Sequence, residues 1–206
     1  ILGFKGASSD IVPFGLGQVN IPPGLDELPL SSIVHGDQSI ELFGKLPVDG
    51  KGLVNRSKVV ALEDKIKGAL VRVETELVDR TGAVLARHVS GTFFKGMGDF
   101  GGDRGTPYTS PPLPNRLPDR TIVFSTLPCQ AMLYRLSGDY NQLHIDPDFA
   151  SWAGFDRPIL HGLCTFGFAC RALIAAACPS SPASLKSLKG RFSAPVYPGE
   201  TLLVEM

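Results

Sequence analysis

Residues Leu133–Leu173, "LYRLSGDYNQLHIDPDFASWAGFDRPILHGLCTFGFACRAL", decide how the rest of the sequence is interpreted. The second half of this stretch continues into "IAAA" and is largely apolar. It predicts one long buried helix rather than a membrane span, because His161 and Arg171 interrupt the apolar run. Before it, Asp146 and Pro147 have the pattern of an N-cap and first helical residue, so a short helix is predicted in "DPDFASWAGF".

A further helix is predicted upstream, in "TIVFSTLPCQAMLYRLSGD" (residues 121–139). We expect Ser125 or Thr126 to cap it and Gly138 to end it, since glycine lets the chain turn away from a helix. Its predicted apolar stripe consists of Met132, Leu133 and Leu136.

The first half of the chain predicts an antiparallel sheet. "SSIVHGDQSIELFGKLP" (31–47) alternates in polarity, and "RSKVVALEDK" (56–65) and "GALVRVETELVDRTGAVLARHVSGTFFK" (68–95) follow, the last divided by the turn "DRTG". In the first strand the alternation predicts one face with Val34, Ile40 and Leu42 and an opposite face with His35, Asp37, Ser39 and Glu41. "SLKGRFSAPVYPGETLLVEM" (187–206) returns to strands.

Glycine and proline are dense from Gly96 to Asp119, which predicts an irregular linker and a domain boundary. Two weak similarities hint at a duplication across it. "PFGLGQ" (13–18) resembles "RPILHGL" (157–163), and "LSSIVHGDQ" (30–38) resembles "LKSLKGRFS" (185–193).

Composition excludes several classes of function. The 206 residues are 43% hydrophobic, and 20 basic residues balance 20 acidic ones, which predicts a soluble globular protein. The basic residues are scattered, so no nucleic-acid partner is expected. The four cysteines have no C-x-x-C spacing, which predicts reduced core thiols in an intracellular compartment rather than disulfides or a zinc site.

Two cofactor motifs are rejected. "GMGDFG" (96–101) matches G-x-G-x-x-G, but the glycine- and proline-rich residues after it cannot form the helix that would hold a pyrophosphate. A calcium loop starting at Asp146 would have Ser151 and Arg157 where glycine and glutamate are needed. His144 and His161 lack a third ligand at helical spacing, so no metal is expected.

The remaining polar residues suggest acid–base chemistry. Asp139 and His144, with Asn141 to orient them, could bind one water, remove a proton from it and return one. Gly162, at the start of the long helix, offers a backbone N–H that could stabilise an enolate-like oxygen. This combination predicts addition or elimination of water next to a carbonyl. On the residues alone, Asp139 as a turn cap and His144 as a buried structural histidine remain the alternative.

The stretch Leu133–Leu173 closely resembles the hydratase 2 motif of (3R)-specific enoyl-CoA hydratases, MaoC-like enzymes found also as a domain of peroxisomal multifunctional enzymes. Weaker collinear resemblance covers most of the chain, including "VHGDQSIELFGKLP", "ALEDK", "GDFGGDRG", "PNRLPD" and "GRFSAPVYPGETL". It implies an α+β double hotdog, in which each antiparallel sheet wraps around a long central helix. The implied parts are an N-terminal hotdog (1–102), a linker (103–120) and a C-terminal hotdog (121–206).

The resemblance also implies a site. Asp139 and His144 match the catalytic pair, Asn141 its supporting amide, and Gly162 the N–H that holds the thioester oxygen. Four further positions match residues that line the CoA and acyl site: His35, Gly36, Lys65 and Phe192. Three residues of the loop itself, Tyr140, Gln142 and Leu143, are also expected to contact the substrate. Lys65 could bind a CoA phosphate, although an ordinary surface lysine, and for His35 a role in its strand, remain alternatives. The family more often has a proline at the position of Gln142.

The activity implied is reversible syn hydration of a trans-2-enoyl-CoA to a (3R)-3-hydroxyacyl-CoA, without cofactor or metal. Implied too are a homodimer, a peroxisomal location, and fusion to dehydrogenase and sterol-carrier domains. The chain begins at Ile1 and stops at Met206 in a predicted strand, so we expect a fragment with both hotdogs incomplete. A dehydratase acting on carrier-protein thioesters and a noncatalytic acyl-thioester-binding hotdog remain alternatives.

Overall fold

The computed structural model of the protein describes residues 32–107, 109 and 111–206. Their contacts form two compact units. We call residues 32–103 with Leu185–Ser193 the sheet unit, and Arg104–Ser184 with Ala194–Met206 the helical unit. The proposed counterpart of the long helix at residues 13–18 lies outside the described residues.

Seven strands are described: β1 (Ile33–Leu42), β2 (Val54–Asp64), β3 (Gly68–Val78), β4 (Val84–Lys95), β5 (Thr121–Ser125), β6 (Ser187–Arg191) and β7 (Thr201–Glu205). The sheet unit has five antiparallel strands in the order β2-β3-β4-β1-β6. The helical unit pairs β5 with β7. The predicted strands of the first half are confirmed, and the Asp79 carboxylate accepts the backbone N–H groups of Thr81 and Ala83 in the turn between β3 and β4.

The core of the sheet unit lies on one face of its central strands. Ile33, Phe94 and Ala69 stand side by side across β1, β4 and β3, and Val71 and Val73 continue the same face of β3. All five are at most 5% exposed. Burial of these apolar side chains drives the three strands together and fixes their register.

The predicted faces of β1 are confirmed from Asp37 onward but wrong for Val34 and His35, because the strand contains a bulge. His35 pairs with Thr92 but Asp37 pairs with Gly91, so Gly36 is an extra residue on β1. The bulge reverses the alternation. His35 therefore shares the core face with Ile33, Ile40 and Leu42, while Val34 shares the opposite face with Asp37, Ser39 and Glu41.

Strand β6 belongs to the sheet unit. The resemblance implies that the segment Leu185–Ser193 lies in the second hotdog, but β6 pairs with β1 in the sheet unit, from Asp37 opposite Arg191 to Glu41 opposite Ser187.

Residues 96–120 form no helix or strand among the described positions, as the density of glycine and proline predicts.

The helical unit contains α1 (Gln130–Arg135), α2 (Pro147–Trp152) and α3 (Gly162–Ala177). The predicted start of this helix is wrong: Thr121–Ser125 is strand β5, paired with β7, and α1 begins only at Gln130 rather than directly after Ser125 or Thr126. The β-branched residues Thr121, Ile122 and Val123 favour a strand once a partner strand is available. Cys129, rather than Ser125 or Thr126, occupies the N-cap position of α1.

The predicted apolar stripe of α1 is also wrong. Met132, Leu133 and Leu136 are 61%, 46% and 80% exposed, whereas Ala131 is buried and Tyr134 packs beside it. With only six residues, α1 buries a narrow face, which carries Ala131 and Tyr134 and packs against Leu160 and Cys164.

Helix α3 is confirmed, with Gly162 as its first residue, but only Cys164 and Ala172 are buried along it. The described part of the second sheet has two strands, which cover less of the helix than a full sheet would. Of the four free cysteines only Cys164 is buried, so the expectation of core thiols holds for that residue alone. No helix among the described residues has the length and apolar character to span a bilayer.

Helix α2 is confirmed with its cap: the Asp146 carboxylate accepts the N–H groups of Asp148 and Phe149, and Pro147 follows it. Because an N-cap carboxylate satisfies N–H groups that the helix leaves unpaired, Asp146→Ala should lower the free energy of unfolding by about 1 kcal/mol. Urea denaturation measures this, with the exposed Ser151→Ala as control in the same helix. Equal stability of both variants and the parent protein would contradict the capping role.

Candidate active site

The loop between α1 and α2 is organised by two side chains that hydrogen-bond to their own backbone. Gly138 turns the chain with a φ of +108°. The Asp139 carboxylate then accepts the N–H of Asn141 (3.2 Å), and the Asn141 amide oxygen accepts the N–H of Leu143 (3.0 Å). Asn141 thereby caps the short 3₁₀ helix Gln142–His144. This spacing carries Asp139 and His144 into one site and fixes the loop between them.

His144 is buried, and the Ile159 carbonyl sets its tautomer. The Nδ1–H donates to the Ile159 oxygen at 2.8 Å, so in the neutral ring Nε2 carries the lone pair. Burial lowers the pKa of His144 below its usual 6.5, although the Ile159 carbonyl and the Asp139 carboxylate act in the opposite direction. At neutral pH His144 is therefore a neutral base.

His161, which sequence reasoning considered only as a metal ligand, is the third member of the site. Its ring stacks on that of His144, with centroids 3.7 Å apart, and its Nε2–H donates to the Asp139 backbone oxygen at 3.3 Å. Burial, followed by the proximity of His144, lowers the pKa of His161 to about 3. One feature of the sequence indicates this role: His161 directly precedes Gly162, the first residue of α3.

Asp139, His144 and His161 each present an atom within 4.8 Å of the others. Asp139 and His144 are thus close enough to share one water through two hydrogen bonds. The sequence shows no third metal ligand at helical spacing from His144 and His161, but the fold brings the Asp139 carboxylate close to both rings. The arrangement nevertheless suits a metal poorly, because in-plane lone pairs of two stacked rings do not converge on one ion and Nδ1 of His144 is bound to a carbonyl.

Gly162 is the first residue of α3, where backbone N–H groups have no acceptor within the helix. No described residue accepts a hydrogen bond from the Gly162 N–H. The helix dipole adds partial positive charge at this end. Since His161 directly precedes it, Gly162 is tied to the same site as Asp139 and His144.

Three further predicted site residues belong to this loop. Tyr140 is 59% exposed, and the Arg135 guanidinium lies 5.0 Å from the centre of its ring. Gln142 is half-buried. Leu143 is 3% exposed and packs with Ala150 in a core cluster. That packing gives Leu143 a structural role, and its contact with substrate stays a prediction.

His35, Gly36 and Phe192 come together in the sheet unit. The N–H of Phe192 donates to the Gly36 oxygen at 2.9 Å, and the His35 ring lies edge-on to the Phe192 ring at 4.9 Å. The His35 Nε2 also lies 3.1 Å from the Gln38 side-chain oxygen. The bulge at Gly36 makes this cluster possible, because it turns His35 and Gln38 to the same face.

Lys65 follows β2 and lies at the end of a chain of ion pairs. Its ammonium is 2.7 Å from Glu63, Glu63 is 2.7 Å from Arg72, and Arg72 is 2.7 Å from Asp37. Burial raises the pKa of Glu63, but the hydrogen bonds from Lys65 and Arg72 outweigh it and leave that pKa below 4.5. A phosphate at Lys65 would share the ammonium with an ionised Glu63.

Asp64, which the sequence did not single out, positions this turn. It is fully buried, and its carboxylate accepts the N–H groups of Ile66 (2.9 Å), Asp99 (2.8 Å) and Gly101 (3.0 Å). It thereby joins the turn that carries Lys65 to the loop "GMGDFG" (96–101). The Asp64 carboxylate thus binds that loop, and the described residues among 102–120 after it form no helix.

Comparisons with known proteins match both halves of the chain. Residues 109–206 match the MaoC like domain, and residues 11–96 match the MFE-2 hydratase 2 N-terminal domain. A MaoC-like dehydratase from Phytophthora capsici, known from a crystal structure, is 42% identical with a TM-score of 0.78, and the match covers 97% of this chain and 68% of that one. The chain belongs to the MaoC-like dehydratase family.

Two curated relatives place this MaoC-like chain near the hydratase 2 enzymes. The peroxisomal multifunctional enzyme type 2 of Drosophila melanogaster is 47% identical over 87% of this chain, and the peroxisomal enoyl-CoA hydratase 2 of Arabidopsis thaliana is 42% identical over 89%. The MaoC-like chain spans 30% and 62% of their respective lengths.

The predicted α+β double hotdog is confirmed for this MaoC-like chain. A Mycobacterium tuberculosis protein described as a double hotdog matches 84% of the chain with a TM-score of 0.54, although it is only 19% identical. At that identity the likeness concerns the fold alone. The antiparallel sheet of the sheet unit and the long helix α3 agree with it.

Proposed function

We propose that the protein catalyses reversible syn hydration of a trans-2-enoyl-CoA to a (3R)-3-hydroxyacyl-CoA. The observation that carries this proposal is that Asp139 and His144 present atoms within 4.8 Å of each other, beside the start of α3. The first residue of that helix is Gly162, whose N–H has no hydrogen-bond acceptor among the described residues. A water-activating pair and an oxyanion donor are what hydration next to a thioester carbonyl needs. The names of the relatives from Drosophila and Arabidopsis support the substrate class.

The tautomer of His144 favours this residue as the base. Its Nδ1–H is held by Ile159, so Nε2 can accept a proton from a water that Asp139 also binds. The hydroxide adds to C3, and the proton is then delivered from the imidazolium to C2 on the same face. Asp139 orients the water and stabilises the imidazolium while it exists. No cofactor or metal takes part in this scheme.

The oxygen of the thioester becomes negative as hydroxide adds to C3. The Gly162 N–H is a fixed donor for that charge, and it needs no rearrangement during the reaction. Asn141 supports the site indirectly, because it caps the 3₁₀ helix that ends at His144.

For substrate binding we propose seven residues: His35, Gly36, Lys65, Tyr140, Gln142, Leu143 and Phe192. Lys65 would bind a CoA phosphate, in competition with Glu63. We also propose that the two hotdogs correspond to residues 1–102 and 121–206, with 103–120 as linker. Strand β6 departs from these bounds, because it pairs with β1 in the sheet unit.

We further propose a homodimer in the peroxisome, within a longer polypeptide that carries dehydrogenase and sterol-carrier domains. The Drosophila relative supports fusion, because the chain spans only 30% of that multifunctional enzyme. The printed names of both curated relatives support the location.

Loss of enoyl absorbance tests the function directly. Full-length protein is mixed with a trans-2-enoyl-CoA and, separately, with the same acyl group on a carrier protein. We expect a much higher kcat/KM for the CoA thioester. A preference for the carrier-protein thioester would favour a carrier-protein dehydratase, and no turnover of either substrate would favour a noncatalytic binding role.

The protonation of His144 predicts the acid side of the pH profile. Below its pKa His144 is charged and cannot accept the proton of water, so kcat should fall as pH decreases through that pKa. Because burial lowers the pKa of His144 from 6.5, kcat at pH 6.5 should still exceed half of its maximum, and the half-maximal point should lie below pH 6.5. A profile of kcat against pH measures this, and a half-maximal point above pH 6.5 would contradict the assignment.

A further inference from the structure

We infer that His161 is a positioning residue that holds the water-activating pair and the oxyanion donor in one arrangement. This inference rests on the proposed hydration. It assigns His161 no contact with substrate. Its evidence is geometric and comes from three separate contacts of one side chain and its backbone.

The first contact is with Asp139. The His161 Nε2 lies 3.3 Å from the Asp139 backbone oxygen and 4.0 Å from its carboxylate. Because a carbonyl oxygen can only accept, Nε2 carries the hydrogen and Nδ1 the lone pair. No described residue hydrogen-bonds to Nδ1, which is buried. A proton there would create a buried charge without an acceptor, so His161 stays neutral and keeps its hydrogen bond to the Asp139 loop.

The second contact is with His144. The two rings stack with centroids 3.7 Å apart and 26° between their planes, and His161 is 1% exposed. The His161 ring therefore covers one face of His144 and excludes water from it. It limits the positions that His144 can adopt while Nδ1 is held by Ile159.

The third contact is through the backbone. His161 is the N-cap residue of α3, and its carbonyl accepts the N–H groups of Cys164 and Thr165. Gly162 follows immediately, so the direction of its N–H is set by the same residue that contacts Asp139 and His144. The Tyr134 ring, 4.7 Å from that of His161, completes the packing.

Two substitutions separate these roles. His161→Phe keeps an aromatic ring over His144 but loses the hydrogen bond to Asp139, whereas His161→Ala loses both. We expect kcat to fall about 100-fold or less in His161→Phe and further in His161→Ala, with KM changed much less, since misplacing catalytic groups by about 1 Å costs on the order of 100-fold. A residue that only stabilises the fold would not separate kcat from KM.

The pH profile distinguishes positioning from packing. The charged or titratable groups around His144 are Asp139, Arg135 and His161, with Tyr134 beside His161. In His161→Ala water reaches the His144 ring, so the acid limb of the kcat profile should move to higher pH, while in His161→Phe it should stay near that of the parent protein. Phe168→Leu, which alters α3 packing against Phe124, should change thermal stability without moving the limb.

An NMR titration of His144, in full-length protein labelled at histidine, makes the test independent of hydration. A higher His144 pKa in His161→Ala supports the inference even if the protein hydrates no enoyl-CoA. An unchanged pKa in both variants, together with parental kcat in folded His161→Ala, would overturn it. Absence of hydration by the parent protein would instead count against the proposed function.

Discussion

Asp139→Asn is expected to lower kcat by about 100- to 10,000-fold, because a positioned acid–base group contributes that much to proton transfer. The substitution keeps the shape of the side chain, and an asparagine oxygen can still accept the N–H of Asn141, as the carboxylate does. The loop should therefore keep its conformation. What is lost is the negative charge that orients the water and stabilises the His144 imidazolium.

Asp146→Asn is the matched control for this measurement. It makes the same chemical change seven residues further along, and asparagine caps a helix about as well as aspartate. We expect parental kcat from this variant and unchanged secondary structure by circular dichroism from both. Near-parental turnover by Asp139→Asn would rule out Asp139 as part of the water-activating pair.

Gly162→Pro is expected to lower kcat by about 100- to 1,000-fold, the usual effect of removing one oxyanion donor. Proline lacks the N–H but is well suited to the first position of a helix. The residue before it is also compatible, since His161 has φ −57° and ψ 131°, in the extended region that proline requires of its predecessor. The substitution therefore replaces the N–H donor by a ring carbon and should leave α3 in place.

Gly162→Ala separates the effect of losing the N–H from the effect of adding a side chain at this position. Alanine adds a methyl group but keeps the donor, so kcat should fall less than in Gly162→Pro. Thermal melting of the two variants checks that α3 is retained. If both substitutions reduced kcat equally while the fold persisted, the N–H of Gly162 would not be the oxyanion donor.

The local elements of the fold were predictable where one short-range signal dominated. Asp146 and Pro147 specify the start of α2 within two residues, and the "DRTG" turn specifies the hairpin of β3 and β4. Strand β5 was not predictable in this way. Its partner strand, β7, begins 76 residues beyond the end of β5, so no neighbouring residue indicates the pairing.

The bulge at Gly36 shows the limit of reasoning from alternation. A period of two assumes that every residue of a strand pairs, whereas one extra residue reverses the faces beyond it. Gly91 accommodates the change, since a Cβ there would lie 2.7 Å from the Asp37 carboxylate. The compatibility of two glycines on neighbouring strands is not visible until the register is known.

The candidate site likewise has one part that could be predicted from the sequence and another part that only the fold brings together. Asp139, Asn141 and His144 lie within six positions, so their proximity could be predicted from sequence. His161 is 17 residues after His144, and only the path of the chain through α2 and back to Ile159 stacks the two rings. Asp64 was missed because its partners are backbone N–H groups, which leave no trace in residue identity.

The configuration of the hydration product tests the central proposal most directly. Full-length protein is given a trans-2-enoyl-CoA, and the product is oxidised by a dehydrogenase strict for the (3R) alcohol or, in parallel, by one strict for the (3S) alcohol. We predict reduction of the coupled nicotinamide only with the (3R)-specific enzyme, and loss of that signal in Asp139→Asn. A (3S) product would contradict the proposed function.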